Sequence, residues 1–261
     1  MSSGSARDQV LSLPELNAAI IIQLPINDIL INAQRVNRNW KAAVDSLPVQ
    51  RALFLEPLPS DRGLKPEFNP LLVGKFPHWF KPTERKGSGR GKRGWQFKEL
   101  EWGSSAETCA AYARKDASWR QMLPVQPPAT IFEIRQAGHY QMGSYLKVGQ
   151  VTFKDGVRMG TLYDWAQKTV ATPISGFQMK WHMAAPSEDA KVSFAMPADE
   201  PETPEELEKR ARGRGPPKVT MRTRYTMQCC VDMEPDVGPE FVSEGYEDLK
   251  LSWGEEKDLG W

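Results

Sequence analysis

Cysteine, histidine and long apolar runs are scarce in this chain, and each scarcity argues against a class of protein. The chain has three cysteines and three histidines. Cys109 stands alone and Cys229 is followed directly by Cys230, a spacing that fits neither a disulfide framework nor a zinc site and favours a reducing compartment. The longest apolar run, residues 18–22, is far too short for a membrane span, and the first residues lack the apolar core of a signal peptide. We therefore expect a soluble protein of the cytoplasm or nucleus, with no membrane partner and no bound metal.

An excess of charge and a catalytic motif are also missing. The chain has 34 Lys and Arg against 33 Asp and Glu, a formal net charge of +1, so it has no general attraction to nucleic acid. It contains no G-x-S-x-G nucleophile motif. Asp116 and Asp164 lie near predicted helix ends, where capping is the simpler role, and His182 is expected to be solvated on a strand. We predict a non-catalytic protein without a cofactor.

Residues 13–55 carry the most regular apolar pattern in the chain. Pro14 and Glu15 favour the start of a helix, because Pro suits the first helical position and Glu interacts well with the positive end of the helix dipole. Apolar residues that share one face of this helix by their spacing are Leu13, Leu16, Ile20 and Leu24. Pro25 should end the helix.

Two more helices are predicted after Pro25. The second contains Ile29, Leu30 and Ile31. The third carries one apolar stripe and should end at Pro48. That stripe consists of Val36, Trp40, Ala43, Val44 and Leu47. Three helices this short and this apolar make a small core, so a second surface should cover part of them.

The order and spacing of these residues resemble the F-box motif. The resemblance lies in Leu13-Pro14-Glu15, Leu24-Pro25, Asp28-Ile29-Leu30, Val36 and Trp40. The run Gln50-Arg51-Ala52-Leu53-Phe54-Leu55 is similar to a set of short fungal F-box proteins. Later pieces similar to the same set are Ala117-Ser118-Trp119-Arg120, Gln126-Pro127-Pro128 and Met159-Gly160-Thr161-Leu162-Tyr163-Asp164. The resemblance covers the N-terminal stretch well and the rest of the chain thinly.

The resemblance implies a role. F-box proteins bind the Skp adaptor subunit, and through it cullin, and bring substrates to a ubiquitin ligase whose chemistry belongs to other subunits. This chain would then recruit a protein substrate. The implied Skp contacts are Leu13, Pro14, Leu16, Ile20, Leu24, Pro25, Leu30, Val36 and Trp40. Two alternatives stay open: an F-box protein that acts with Skp outside the ligase, and a helical hairpin that only caps the downstream domain.

Residues 56–94 predict a linker. The part from 56 to 74 is rich in Pro, Asp, Gly and Ser and predicts a loop, with apolar anchors at 69–73 and 76–80. Residues 81–94 lack apolar side chains and predict a flexible loop. Its G-x-G-x-x-G pattern, Gly89 to Gly94, has neither the preceding strand nor the following helix of a dinucleotide site. The basic segment 85–93 leaves one further alternative, a nucleic-acid-associated scaffold.

Residues 95–261 predict an α+β domain that recognises the substrate. Helices are expected from Ser104 or Ser105, where serine caps well, at 117–123 and from Thr161. Asp155-Gly156 predicts a type I′ hairpin turn between strands 151–154 and 157–159. Further strands are predicted at 129–135, 177–183, 192–196 and 219–233. A charged insertion at 197–217 should be flexible.

The strand predicted at 219–233 suggests a substrate-binding face. Alternation places Lys218, Arg222 and Arg224 in one outward row, and a basic row suits an acidic or phosphorylated segment. An ordinary solvated sheet face is the alternative. Arg222 and Arg224 are the candidate substrate-binding residues. The whole chain is thus predicted as α+β: a small N-terminal three-helix F-box over 8–55, followed by a mainly antiparallel sheet domain with a few helices.

Overall fold

The fold is of the α+β class, as the sequence predicts. A computed structural model describes residues 13–59, 64–81, 100–101, 105–140, 143–170, 175–182, 217–226, 252–253 and 257–258. An N-terminal helical unit is followed by helices packed on a mixed, mainly antiparallel sheet. Of the segments predicted to be flexible, 81–94 and 197–217, all residues except 81 and 217 lie outside the described residues, as does the strand predicted at 192–196.

The helical unit is built from short helices around a small core. Its elements are α1 (Pro14–Ile21), α2 (Ile26–Asp28), a π-helix (Ile29–Ala33), α3 (Gln34–Val36), α4 (Arg38–Val44) and α5 (Leu47–Ala52). Its buried residues are Ala18, Ile21, Ile29, Ala33, Ala43, Val44, Val49 and Leu53. Because several of them are alanines, this core buries little apolar surface for its length.

The predicted third helix is wrong in two respects. Asn37 interrupts it with an extended backbone (φ −165°, ψ 178°), and its side chain accepts a hydrogen bond of 2.9 Å from the backbone N–H of Trp40. Asn37 therefore caps a new helix, α4, and separates Val36 from Trp40. Pro48 lies in the first turn of α5 rather than at the end of α4, since proline is compatible with a helix start.

The second domain packs helices against a sheet of six strands. In chain order its elements are β1 (Glu67–Phe68), α6 (Pro70–Lys75), α7 (Pro77–Phe80), α8 (Ala106–Ala113), α9 (Ser118–Gln121), β2 (Val125–Gln126), β3 (Ile131–Tyr140), β4 (Gly143–Thr152), α10 (Met159–Val170), β5 (Ser175–His182), β6 (Lys218–Thr226), β7 (Ser252–Trp253) and β8 (Lys257–Asp258). The main sheet has the order β5-β6-β3-β4-β7, with β8 also paired to β4. Only the β3–β6 pair is parallel among the described strands. The predicted Ser105 cap and the strands from 129 and 177 are confirmed. The strand predicted at 219–233 is confirmed up to residue 226, and its remainder lies outside the described residues.

Residues 67–80 belong to this domain, so the predicted loop is wrong where it covers β1 and α6. Asn69 is buried and its side chain accepts from the backbone N–H groups of Leu71 and Leu72, which caps α6. The predicted apolar anchors are confirmed, because Leu72, Phe76 and Trp79 are buried in the sheet core. The other members of that core are Leu100, Met122, Val125, Ala129, Phe132, Ile134, Val157, Met159, Leu162, Tyr163, Ala166, Phe177, Val219 and Met221.

The predicted hairpin at Asp155-Gly156 is also wrong. The turn leads from β4 into α10, and the long hairpin is the β3–β4 pair, in which Tyr140 lies opposite Gly143. A type I′ turn needs positive φ at both central residues, but here only Gly156 has it, at 89°. A Cβ atom on Gly156 would lie 2.3 Å from Cβ of Pro128. Close packing against Pro128, not a hairpin, requires this glycine.

The end of α5 joins the helical unit to the sheet domain. Phe54 has φ 59°, and the N–H groups of Phe54 and Leu55 donate to the carbonyls of Arg51 and Gln50. This is a Schellman cap with Phe where Gly is usual. It turns the carbonyl groups that follow towards the sheet domain.

Three groups of the sheet domain bind those carbonyls, and we name this region the joint. The Leu123 N–H donates to the Phe54 carbonyl at 2.7 Å. The buried Gln126 amide donates to the carbonyls of Arg51 and Glu56 at 3.1 and 3.0 Å. The Arg158 guanidinium donates to the Leu55 carbonyl and, within its own domain, to that of Gln121. Leu30 and Leu55 pack against both cores, so the two units share an apolar contact as well.

Candidate partner-binding surface

The helical unit exposes large apolar side chains. Leu13, Leu16 and Ile20 are 49, 41 and 41% exposed and share one face of α1 by their spacing. Exposed large apolar residues of the unit are Leu13, Leu16, Ile20, Ile22, Ile31, Val36 and Leu47; we call them the apolar surface. In the rest of the described chain only Leu64 is exposed in this way. Exposed apolar side chains that adjoin one another, like the row Leu13, Leu16 and Ile20 on α1, are typical of interaction sites.

The residues implied as Skp contacts divide into two groups. Those that the structure leaves exposed are Leu13, Pro14, Leu16, Ile20, Pro25 and Val36. The others, Leu24, Leu30 and Trp40, are half-buried and pack against the helical core. The predicted common face of α1 therefore ends at Ile20, because the chain turns after Ile21 and directs Leu24 inwards. Leu24, Leu30 and Trp40 therefore contribute to the packing of the helical core.

The implied Skp contacts do not include three members of the apolar surface, Ile22, Ile31 and Leu47. Ile31 lies in the π-helix and is 59% exposed, while Ile29 and Ala33 on either side of it are buried. Short π-helical turns occur often at functional sites. The signal was present in the sequence, since consecutive isoleucines on a helix cannot all face one core. Leu47 was assigned to the stripe of the third helix, but it begins α5 and points to solvent.

A polar face of the sheet surrounds a buried carboxylate, Glu133 on β3. Its side chain is 8% exposed. It accepts hydrogen bonds from Arg135 Nε at 2.7 Å, Lys218 Nζ at 2.9 Å and Thr220 Oγ1 at 3.3 Å. Burial by itself raises the pKa of Glu133, but the hydrogen bonds and charges of Lys218 and Arg135 outweigh it and lower the pKa below the ordinary 4.5.

The predicted basic row is placed on this face with one correction. Lys218 forms an ion pair with Glu133, so its charge is already compensated within the sheet. In the register of the strands Arg222 lies opposite Arg135 and Gln178, and Arg224 lies opposite Ala137. Both positions share the side of the sheet that carries Glu133, because residues two apart on a strand share a face.

The prediction that His182 is solvated is wrong. It is half-buried on β5 opposite Lys218. Burial, followed by the positive charges of Lys180 and Lys218, lowers the pKa of His182 to about 4, although the charge of Glu133 acts in the other direction. His182 is therefore neutral at pH 7, chiefly because it is buried.

The acids predicted as helix caps are bound to arginines. Asp164 lies inside α10 and forms an ion pair with Arg120, whose guanidinium also lies over the rings of Trp119 and Tyr163. Asp116 pairs with Arg114 at 2.9 Å on the surface. In the described part of the chain, no three side chains among His, Cys, Asp and Glu are grouped to hold a metal ion. No helix there is long and apolar enough to cross a membrane.

Comparison of the chain with protein-family models, with curated proteins and with solved structures gave no match. Any function assigned to it has to be argued from its own residues and their geometry.

The depressed pKa of His182 predicts a fall in stability on acidification. The unfolded chain takes up a proton at His182 below pH 6.5, and the folded chain does so only near pH 4. The free energy of unfolding should therefore drop by about 2–3 kcal/mol between pH 7 and 4.5 through this residue. Glu133, whose pKa is also lowered, adds a loss below pH 4.5.

Urea denaturation at pH 7, 5.5 and 4.5 measures this dependence. The variant His182→Gln should lose less stability than the wild type over this range and should still lose stability below pH 4.5 through Glu133. Identical pH dependence in the two proteins from 7 to 4.5 would show that His182 is not desolvated.

Proposed function

We propose that this chain is a non-catalytic, substrate-recruiting adaptor of a Skp–cullin–F-box ubiquitin ligase, and that it binds the Skp subunit through the apolar surface. The observation that carries the proposal is the concentration of exposed apolar residues in the helical unit. An independent argument is the order of helix-starting prolines and apolar residues that resembles the F-box motif.

The energetics of the helical unit favour a permanent partner. Each large apolar side chain left in water forgoes roughly 1.5–3 kcal/mol of burial free energy. The helical unit cannot gain this free energy by itself. Ile21 is buried in its core, and the adjacent residues Ile20 and Ile22 therefore face other directions on the helix. A partner that covers the apolar surface gains this free energy on binding, so the unit is suited to stable association.

The later pieces that resemble fungal F-box proteins also support the proposal, because they meet around the joint. Arg120 from the first piece pairs with Asp164 from the third. Gly160 approaches Arg120 so closely that an added Cβ would lie 3.0 Å from its carbonyl oxygen. Gln126 from the second piece binds the end of α5. These pieces would hold a substrate-binding domain in a fixed orientation to an adaptor-binding unit.

We propose the polar face of the sheet as the substrate-binding surface. In the register of that face Arg222 lies opposite Arg135 and Arg224 lies opposite Ala137, and Glu133 already binds Arg135. Two further cationic residues on one sheet face suit an acidic or phosphorylated segment of a substrate. Lys218 contributes less than predicted, because Glu133 neutralises it.

The alternatives differ in their support. An F-box protein that acts with Skp outside the ligase would use the same apolar surface, and the presence or absence of cullin after purification through Skp separates the two. A nucleic-acid-associated scaffold depends on residues 85–93, which lie outside the described residues, so no described contact favours it.

A double substitution on α1 tests the Skp assignment. Leu13→Glu/Leu16→Glu should weaken Skp binding by about 100-fold or more, because it places two charges in an apolar contact. Both substitutions suit the start of a helix, where acids are favourable, so the fold should persist by circular dichroism. The matched control is Leu64→Glu, which changes an exposed leucine outside the helical unit. It should bind Skp like the wild type in isothermal titration calorimetry.

Unchanged Skp binding by the double variant would contradict the role of α1. A monodisperse wild-type chain that does not bind Skp at all would overturn the F-box assignment and the ligase role together.

Charge reversal on the sheet tests the substrate face. Arg222→Glu/Arg224→Glu should reduce the proteins captured from cells with the proteasome blocked, because an acidic segment is then repelled, and Skp should still co-purify. The control Lys115→Glu/Lys154→Glu makes the same change in net charge at exposed turns. Quantitative mass spectrometry compares the three baits, and an unchanged set of captured proteins would contradict a substrate role for this face.

A further inference from the structure

A group of cations flanks Val36, an exposed residue of the apolar surface. The segment from residue 34 to 41 reads QRVNRNWK and contains three cations and no acid. We call Arg35, Arg38 and Lys41 the basic rim. All three are exposed, and among the described residues no carboxylate lies within 4.0 Å of them.

The backbone places the basic rim next to exposed apolar residues. Arg35 immediately precedes Val36, which is 56% exposed and ends α3. After the extended residue Asn37, Arg38 begins α4, and Lys41 follows it one turn later on the same helix face. The hydrogen bond from the Trp40 N–H to Asn37 fixes this corner. The basic rim therefore flanks Val36, one residue of the apolar surface.

A partner that covers Val36 must accommodate these charges. Burying unpaired cations beside a contact from which water has been excluded is unfavourable. Long Arg and Lys side chains at the edge of such a contact place their charged groups in water or next to an opposite charge. Carboxylates on the partner would provide that opposite charge and would attract the two surfaces before contact.

We propose that the surface of the Skp subunit that covers Val36 carries carboxylates opposite Arg35, Arg38 and Lys41, so that the basic rim steers association while the apolar surface supplies the lasting contact. This inference rests on the proposed function and adds the chemistry of the partner and a division of roles within the contact. Apolar burial determines chiefly the rate of dissociation, and the rim determines chiefly the rate of association.

The test is the association rate of the full chain with the purified Skp subunit, measured by surface plasmon resonance at rising salt concentration. For the wild type the association rate should fall as salt screens the rim. For Arg35→Glu/Arg38→Glu it should be lower by about tenfold or more at low salt and respond little to added salt, with little change in the dissociation rate. Lys41→Glu alone, as an independent variant on a different turn, should have a smaller effect in the same direction.

The control Lys115→Glu/Lys154→Glu has the same net charge as the double rim variant and should keep the wild-type association rate and salt dependence. Wild-type kinetics in the rim variants would overturn this proposal while leaving the Skp assignment intact. Absence of any wild-type binding to Skp would overturn both. Salt-sensitive binding of a short RNA by the rim, without an effect of the rim on Skp association, would assign it to a phosphate backbone and also overturn the proposal.

Discussion

The hydrogen bonds that the end of α5 accepts from the sheet domain are the constraint on which the arrangement of this protein depends. The Leu123 N–H donates to the Phe54 carbonyl, and the Arg158 guanidinium donates to the Leu55 carbonyl. The Gln126 amide donates to the carbonyls of Arg51 and Glu56. Because Phe54 holds a left-handed conformation that costs a non-glycine residue about 1–2 kcal/mol, its neighbours must keep it in place. The joint thereby sets how the apolar surface and the polar sheet face are oriented to each other.

The two units differ in how completely their cores bury their own apolar side chains. The sheet core contains the large side chains of Trp79, Tyr163 and Phe177, which are buried within the domain itself. The helical core includes Ala18, Ala33 and Ala43 and is too small to cover every isoleucine of its own helices. The hydrogen bonds of the joint hold the end of the helical unit to the larger domain. The apolar surface of the helical unit stays exposed.

Local features are predictable from the sequence where one residue determines the backbone conformation. They are less predictable where a contact with a residue distant in the sequence determines it. Pro14, Ser105 and the alternation from Phe177 to Trp181 were sufficient to place α1, α8 and β5. The hairpin predicted at Asp155-Gly156 is wrong because the turn depends on Pro128. The linker predicted at 56–94 is wrong over 67–80 because the burial of these residues depends on strands that follow much later in the chain. The exposure of Ile31 and Leu47 followed from a π-helix and from a helix start at Leu47. Pro48 is the same kind of local signal for a helix start as Pro14, and the run Ile29-Leu30-Ile31 indicates that not all of its side chains can face one core.

Hydrogen exchange of the chain with and without the Skp subunit tests the central claim, that the helical unit is the docking unit and that the sheet domain remains available beside it. The account predicts that amides in 13–24 and 29–41 become protected on binding, while exchange in β3, β5 and β6 does not change. Protection confined to those strands, or no protection anywhere, would contradict it.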